Sequence, residues 1–359
     1  MSLNCYKYHL PFNNPLETTK GTFDEREGLI LEFITDGESF YGEAAPLPGF
    51  SDESLADIET SLTEYKEQFN EVLTSNHPID ALTKIYQTEE IPPALQFGLD
   101  TLGLQLTAYH NGSTLQEQFF SKYQDGVPIN ALGNLLADDL FQQINQFRLE
   151  GFATIKFKIG LNFRRELQQL QQLRSRYPDL TIRLDANQAW TIDEAISHCK
   201  LLEELDIEYC EEPLGEPSPE KFEKLATQTT LPLALDESIR QVSYWPNLLP
   251  YSSFAILKPM LLGSFTKNLE TKALANTHNN KVVYTTSLES GIGRQMTALL
   301  ASGSENSSTA HGLTTGRLFT KDVYSDKAYI SGGTYNVRPL KYRLQIDLNQ
   351  LQHLSTRLF

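Results

Sequence analysis

Five charged residues end five successive apolar runs, and their spacing limits how this chain can fold more than any other feature. Lys158, Asp185, Glu211, Asp236 and Lys258 follow one another at steps of 27, 26, 25 and 22 residues. A step of that length holds one strand, one crossover helix and two short loops, the repeat of a βα unit. The strands are expected at 129–132, 153–158, 181–185, 207–211, 231–236, 254–258 and 281–285, with an eighth ending near His311. So many parallel strands close naturally into a barrel, whose chemistry gathers at the carboxyl ends of its strands. An open doubly wound sheet is the alternative, but its glycine-rich phosphate turn is missing after every strand.

The chain before residue 125 has another texture. An apolar run at 28–34, the Asp36-Gly37 dipeptide and a second run at 40–44 spell a small antiparallel sheet. From Ser51 to Asn111 apolar residues recur at three- and four-residue steps through Leu55, Ile58 and Leu62, with Ser51 and Asp52 as candidate helix caps. Strands followed by helices make an α+β unit, which ends at the Asp125-Gly126 turn.

A single aspartate at a strand end is ordinarily a turn former or a helix cap. Three acids in register on consecutive strands of a closed barrel converge instead, and two carboxylates about 4 Å apart repel by roughly 4 kcal/mol at an effective dielectric near 20. Asp185, Glu211 and Asp236 therefore require a cation. Oxygen donors, with no histidine or cysteine at equivalent positions, suit a hard octahedral ion, Mg²⁺ with Mn²⁺ as the alternative, and disfavour zinc. Strand alternation turns the neighbouring Glu212 and Glu237 away.

Lys156 and Lys158 leave the same face of one strand, and because Ile155 and Phe157 must meet the surrounding helices, the lysines face the barrel interior. Beside a metal and beside each other, one ammonium group favours its neutral form, which makes Lys158 the candidate base. Lys258 ends the sixth strand, across the barrel from the second, as a second base or a fixed positive charge. Arg183 and Asn187 share one side of the third strand with Asp185. They are candidates for binding a substrate carboxylate, with a structural ion pair as the equal alternative for Arg183. Thr285, Thr286, Ser287 and Glu289 follow the seventh strand as candidates for a second anionic group, or as a plain helix cap. His311 reads as structural, and no serine–histidine–acid spacing or phosphate loop stands out.

Thirty basic residues against 46 acidic ones give a net charge of -16, which repels nucleic acid and anionic membranes. No window holds the roughly 18 apolar residues of a membrane helix, and the opening Met1-Ser-Leu-Asn-Cys5 is unlike a secretion signal. Cys5, Cys199 and Cys210 suit neither a disulfide framework nor a zinc site. The expectation is a cytoplasmic protein acting on a small-molecule carboxylate, with no nucleic-acid or membrane partner and its oligomeric state open.

Lys156-Phe-Lys158, Arg183-Leu-Asp-Ala-Asn-Gln-Ala-Trp190, Glu211-Glu-Pro213, Asp236-Glu-Ser238 and Lys258-Pro259, in this order and spacing, resemble the motifs of the muconate-lactonizing branch of the enolase superfamily. That resemblance implies an α/β fold: a modified (β/α)7β TIM-type barrel over 125–325, an α+β capping domain over 1–124, and a C-terminal segment, 326–359, returning to the cap. Within the branch, Gly42-Glu-Ala-Ala-Pro-Leu-Pro-Gly-Phe-Ser51, Lys258-Pro-Met-Leu-Leu-Gly-Ser264 and Thr286-Ser-Leu-Glu-Ser290 are similar to the o-succinylbenzoate synthase family of menaquinone biosynthesis. The stretch Ala310-His-Gly-Leu-Thr314 lacks the paired aspartates of dipeptide epimerases.

The likeness implies a Mg²⁺-dependent syn dehydration of 2-succinyl-6-hydroxy-2,4-cyclohexadiene-1-carboxylate. In it the ion, on Asp185, Glu211 and Asp236, holds the carboxylate, and Lys158 removes the adjacent proton. Lys156 and the ion meet the charge of the resulting enediolate, while Lys258 stabilises it from the other face by a cation–π contact. The loop from Lys20 to Asp24 and residues 46–51 are expected to close the site and set part of the substrate choice. The rival is an N-succinylamino acid racemase with Lys158 and Lys258 as opposed bases. A Schiff-base aldolase is more remote, because the three acids argue against it.

Overall fold

Apolar alternation from Ser2 onward produces a long antiparallel ladder: β1 (Ser2–Thr18), β2 (Gly21–Thr35) and β3 (Glu38–Ala44). The computed structural model describes all residues except 19–20, 305–306, 325–328, 338–343, 345, 348, 350, 352–354 and 359, so Lys20 and the expected boundary at 325/326 lie outside the described residues. Asp36 and Gly37 both take positive φ, 52° and 79°, forming the two-residue turn whose twist suits a hairpin. Four helices follow: α1 (Leu55–Leu73), α2 (Pro78–Thr88), α3 (Pro93–Asn111) and α4 (Leu115–Phe119).

The cap of α1 is Ser54, not Ser51 or Asp52. Its side chain accepts from the Asp57 amide while Asp57 accepts from the Ser54 amide, a reciprocal box that needs an acid three residues on. The Ser51 hydroxyl is already engaged by the Leu47 amide at 2.8 Å. Gly42 on β3 and Gly98 on α3 let sheet and helix touch backbone to backbone, since a Cβ on Gly42 would run into the Gly98 carbonyl.

After the turn at Asp125 come β4 (Gly126–Pro128) and then strands alternating with helices: β5 (Ala131–Gly133), α5 (Leu140–Leu149), β6 (Thr154–Lys158), α6 (Phe163–Arg176), β7 (Thr181–Asp185) and α7 (Ile192–Leu202). The alternation continues through β8 (Ile207–Glu211), α8 (Pro219–Gln228), β9 (Leu233–Leu235), α9 (Ser238–Gln241), β10 (Phe254–Leu257), α10 (Pro259–Leu262), α11 (Phe265–Thr277), β11 (Lys281–Tyr284) and α12 (Gly291–Ser302). β5 to β11 form one seven-stranded sheet in chain order, with the observed neighbours parallel.

The expected eighth strand is reduced to two isolated parallel pairs, Ile129 with His311 and Thr285 with Gly312, which join the two edges of the sheet. Outward-facing Ile155, Phe157, Ile182, Leu184 and Cys210 enter the main core, where a fully buried phenylalanine contributes about 2 kcal/mol. Inward-facing Tyr209, Ala234, Phe254, Ile256 and Val283 form a separate apolar plug beneath the barrel mouth.

The C-terminal residues divide between the two ends of the molecule. β12 (Ile330–Ser331) and β13 (Thr334–Asn336) build an antiparallel sheet on β4, with Tyr335 opposite Val127, and so belong with the barrel rather than the cap. β14 (Ser355–Arg357) makes the return, pairing with β1 at Tyr6, Lys7 and Tyr8. Among the described residues no helix is long and apolar enough to cross a membrane.

Candidate active site

The register of the barrel strands places Lys158, Asp185 and Glu211 side by side in one row across β6, β7 and β8. Two residues earlier, Lys156, Arg183 and Tyr209 form the row beneath. Both rows face inward because the residues between them, Phe157, Leu184 and Cys210, are buried against the helices. Asp236 and Lys258 follow directly on β9 and β10.

Lys156 Nζ stands 2.7 Å from Asp185 Oδ2 and 2.7 Å from Glu211 Oε1, and Lys258 is ion-paired with Asp236. Burial would lower the Lys156 ammonium, but Asp185 and Glu211 outweigh it and hold the group well above the ordinary lysine range. Burial acts likewise on Lys258 and is overcome by Asp236 and Glu237. Lys156 is therefore not the lysine of the pair that favours a neutral form, because the carboxylates dominate there. Lys158 differs: it is exposed at the barrel mouth and has no ion-pair partner among the described residues.

Burial, then Asp185, push the fully buried Glu211 carboxyl well above the carboxylate range, against the pull of Lys156. Asp236, also raised by burial, is brought below its ordinary value by Lys258 and Lys156. Glu211 Oε2 is buried and meets no hydrogen-bond donor among the described residues. An all-oxygen donor set with one orphaned oxygen fits a hard divalent cation. The three acids are not drawn onto one point: Lys156 stands between the first two and Lys258 sits on the third. Among the described residues the trio of ligand-type side chains with donor atoms all within 4.8 Å of one another is His9, Glu25 and Glu27, a partly exposed cross-strand group in the cap.

Glu212 lies just past the end of β8, where strand alternation no longer governs it. With φ at 42° it accepts from the amides of Asp236 at 2.8 Å and Ser238 at 3.1 Å, and from the Ser238 hydroxyl, which braces Asp236. Burial, then Glu237, push its carboxyl up to about 8. Glu237 does not turn away: it accepts from Asn187 Nδ2 at 3.2 Å and is pushed up to about 7 by burial and Asp236. β9 has ended at Leu235 and Glu237 carries helical backbone angles, φ -57° and ψ -39°, so strand alternation no longer governs it. The apolar run before it gave no sign of that early end.

Asn187, in the left-handed region with φ at 42°, also donates its amide to Asp185 Oδ1 at 3.1 Å, so it orients Asp185 and Glu237. Arg183 is buried below the barrel mouth. Its fully buried guanidinium pairs with Glu208 at 2.5 Å, donates to the Ala310 carbonyl at 2.7 Å and Asn130 Oδ1 at 3.3 Å, and lies over the Tyr209 ring. The ion-pair reading of Arg183 replaces the carboxylate-binding one, because the residue sits in the lower row of the barrel.

The seventh-strand loop is also stitched internally. Thr285 and Thr286 donate to the Gly312 carbonyl at 3.3 and 3.2 Å, and Thr286 shares a 2.7 Å bond with Thr315. Glu289 is fully buried, receiving the Ser287 amide at 2.5 Å, the Ser287 hydroxyl at 3.0 Å and Thr297 at 3.0 Å. The hydroxyls expected to meet a second anion are therefore engaged, and the cap of α12 is Ser290 rather than these residues. His311 is structural: burial pushes it down to about 3, and Nδ1 accepts the Tyr284 amide at 3.0 Å.

Residues 139–341 match the family model described as "Enolase C-terminal domain-like", and residues 1–104 the one described as "MenC, N-terminal domain". The chain belongs to the enolase superfamily. Members of this superfamily are enzymes and generally use Mg²⁺. This superfamily member is 27% identical to the o-succinylbenzoate synthase of Bacillus subtilis over 357 residues, 96% of this chain and 93% of the relative. It is likewise 27% identical to that of Pasteurella multocida over 304 residues, 82% and 84% of the two chains. Among solved structures, muconate lactonizing enzyme from Pseudomonas fluorescens, complexed with muconolactone, aligns with a TM-score of 0.86 at 21% identity, covering 99% and 98% of the chains. An N-succinyl Arg/Lys racemase from Bacillus cereus aligns at 0.83 and 19%, covering 100% and 99%. These likenesses show the fold, a modified barrel with an N-terminal cap.

Proposed function

We propose that this chain is an o-succinylbenzoate synthase, dehydrating 2-succinyl-6-hydroxy-2,4-cyclohexadiene-1-carboxylate to 2-succinylbenzoate in menaquinone biosynthesis. The observation that carries the reading is the asymmetry of the two lysines: Lys158 is exposed at the mouth with no ion-pair partner among the described residues, whereas Lys258 is held as an ammonium by Asp236. One lysine outside the ion-paired cluster and one fixed cation suit a reaction in which a single group acts twice. The synthase name of relatives matched along most of their length agrees with it.

Asp185, Glu211 and Asp236 would hold Mg²⁺, which when bound supplies positive charge to the substrate carboxylate. Lys158 Nζ takes the proton from the carbon beside that carboxylate, and the electron pair of the broken C–H bond moves into the carboxylate. Lys156 and Lys258 place two positive charges where that negative charge grows, the condition for lowering a barrier rather than merely tightening binding. When the electron pair returns to the ring the C–OH bond breaks, and hydroxide leaves with the proton now on Lys158. Water departs, the ring becomes aromatic, and Lys158 is again a free amine. Because both events occur on one face, one lysine suffices.

The test is an ultraviolet assay for the aromatic product, run with and without Mg²⁺. Mg²⁺-dependent aromatisation supports the reading, and an inert cyclohexadiene substrate removes it. A racemase reading is favoured by the second lysine across the barrel and by the Bacillus cereus structure. It predicts conversion of an N-succinyl amino acid to its opposite enantiomer with deuterium taken up from heavy water, and inversion without any aromatisation of the cyclohexadiene favours that reading over the synthase.

A further inference from the structure

The cap meets the barrel through two buried charges that no part of the mechanism uses. Glu43, at the end of β3, is completely buried, and its two oxygens receive four donors. Oε1 accepts the Tyr8 hydroxyl at 2.5 Å and the Ser290 amide at 2.8 Å, while Oε2 accepts the Ser290 hydroxyl at 2.5 Å and the Gly293 amide at 2.8 Å. One donor comes from the cap and three from the first turn of α12. The Ser290 and Gly293 amides, one on each oxygen, can only donate, and the ionised carboxylate accepts all four contacts, although burial pushes the group up from the ordinary range. Gly293 permits the approach, because a Cβ there would press on Glu289 and on Glu43 Oε2.

Arg26 is the counterpart on β2. It is buried and has no carboxylate partner among the described residues; its guanidinium serves four carbonyls instead. Three belong to the cap: Glu27 at 2.7 Å, Pro46 at 2.7 Å and Ala45 at 2.5 Å. The fourth is Leu288 of the barrel, at 3.1 Å. Leu288 has φ at 64°, a conformation that a leucine adopts only when its surroundings impose it. Two residues later, Ser290 is the residue that Glu43 grips. The strained turn of the seventh-strand loop is therefore bracketed by one cap cation and one cap anion.

Residues 45–51 are tied from both ends as well. Arg26 holds Ala45 and Pro46, and Arg240 of the barrel donates to the Phe50 carbonyl at 2.9 Å. We propose that Glu43 and Arg26 are positioning residues: acting from the cap, they impose the shape of barrel residues 285–290 and fix 45–51 against them, so that the substrate pocket is complete only while this clasp is made. The kinetic part of the idea rests on the synthase activity proposed above; the structural part does not.

Glu43→Gln tests it with almost no change of volume, since the new amide sets donors against donors. Hydrogen exchange read by mass spectrometry on the whole protein should show the Ser290 and Gly293 amides exchanging at least about tenfold faster. Loss of binding geometry away from the reacting atoms should raise KM about tenfold and leave kcat within about twofold. Arg26→Lys keeps the charge but cannot serve four carbonyls, and should loosen residues 285–290 and raise KM in the same way. It carries the test if Glu43→Gln does not fold. Unchanged exchange at these amides, or an unchanged KM in a folded variant, overturns the proposal. Exchange is read without substrate, so a wild-type protein inert toward the cyclohexadiene would remove the synthase reading while the clasp was still tested.

Discussion

Lys156 and Glu211 stand 2.7 Å apart, yet a single oxygen of that carboxylate takes part, and Oε2 is buried without a donor among the described residues. A buried acceptor left alone is costly, and a cation bound there relieves it. Mg²⁺ should therefore stabilise the fold in proportion to its occupancy, by about 2.7 kcal/mol at a hundred times its dissociation constant. Thermal unfolding with increasing Mg²⁺, then with chelator, reads this directly. Glu211→Gln should weaken Mg²⁺ at least about tenfold by calorimetry. An unfolding midpoint indifferent to Mg²⁺ would remove the metal from the proposed site.

Lys158→Ala removes the exposed amine without touching the ion-paired cluster. Loss of a positioned base typically lowers turnover by about 10²- to 10⁴-fold. The Mg²⁺ stabilisation described above should persist in this variant, because Lys158 is not paired with any of the three acids. Turnover near the wild-type rate would assign the proton transfer elsewhere.

The rows of the site were legible because, at β6, β7 and β8, apolar runs stop at a charged residue, and strand period then decides which neighbour faces inward. The reasoning failed where the strand stopped early. Glu237 was misplaced because β9 is only Leu233–Leu235 and helical geometry begins at once. The fate of Arg183 depended on its layer in the barrel and on Glu208 of the next strand, neither of which spacing reveals. Glu43 and Ser290 stand in stretches that carry the family likeness, but their pairing, like that of Arg26 with Leu288, carried no signal, since the partners lie 247 and 262 residues apart. The eighth strand was expected near the right residues, but its pairing is confined to single residue pairs on either side, Ile129 with His311 and Thr285 with Gly312.

Arg183→Met separates a structural arginine from a substrate-binding one. The change leaves Asn130 Oδ1 and the Ala310 carbonyl without this donor and removes the partner of Glu208. A broken buried pair costs about 3 to 5 kcal/mol, here toward the lower figure because the Glu208 side chain is 27% exposed. Urea unfolding should show that loss, with KM changed by less than about twofold under conditions where the variant is folded. A large rise in KM with unaltered stability would return Arg183 to the substrate.

Asp100 of α3 accepts the Phe265 amide at 2.8 Å, at the first turn of α11, and the Tyr86 hydroxyl at 2.9 Å. Burial pushes its carboxyl from 3.8 up to about 7, against the pull of those two donors. The folded protein thus binds the proton more tightly than the unfolded chain. The resulting stabilisation is fully present below the unfolded value and is lost as pH rises toward 7, a difference of roughly 4 kcal/mol across the window. Asp100→Asn cannot ionise and should flatten that portion of the profile. Unfolding free energies of both proteins near pH 4.5, 6 and 8 isolate the residue, because other titrating groups are common to the two. Parallel profiles would mean that Asp100 stays ionised throughout, its charge met by the α11 amide and Tyr86.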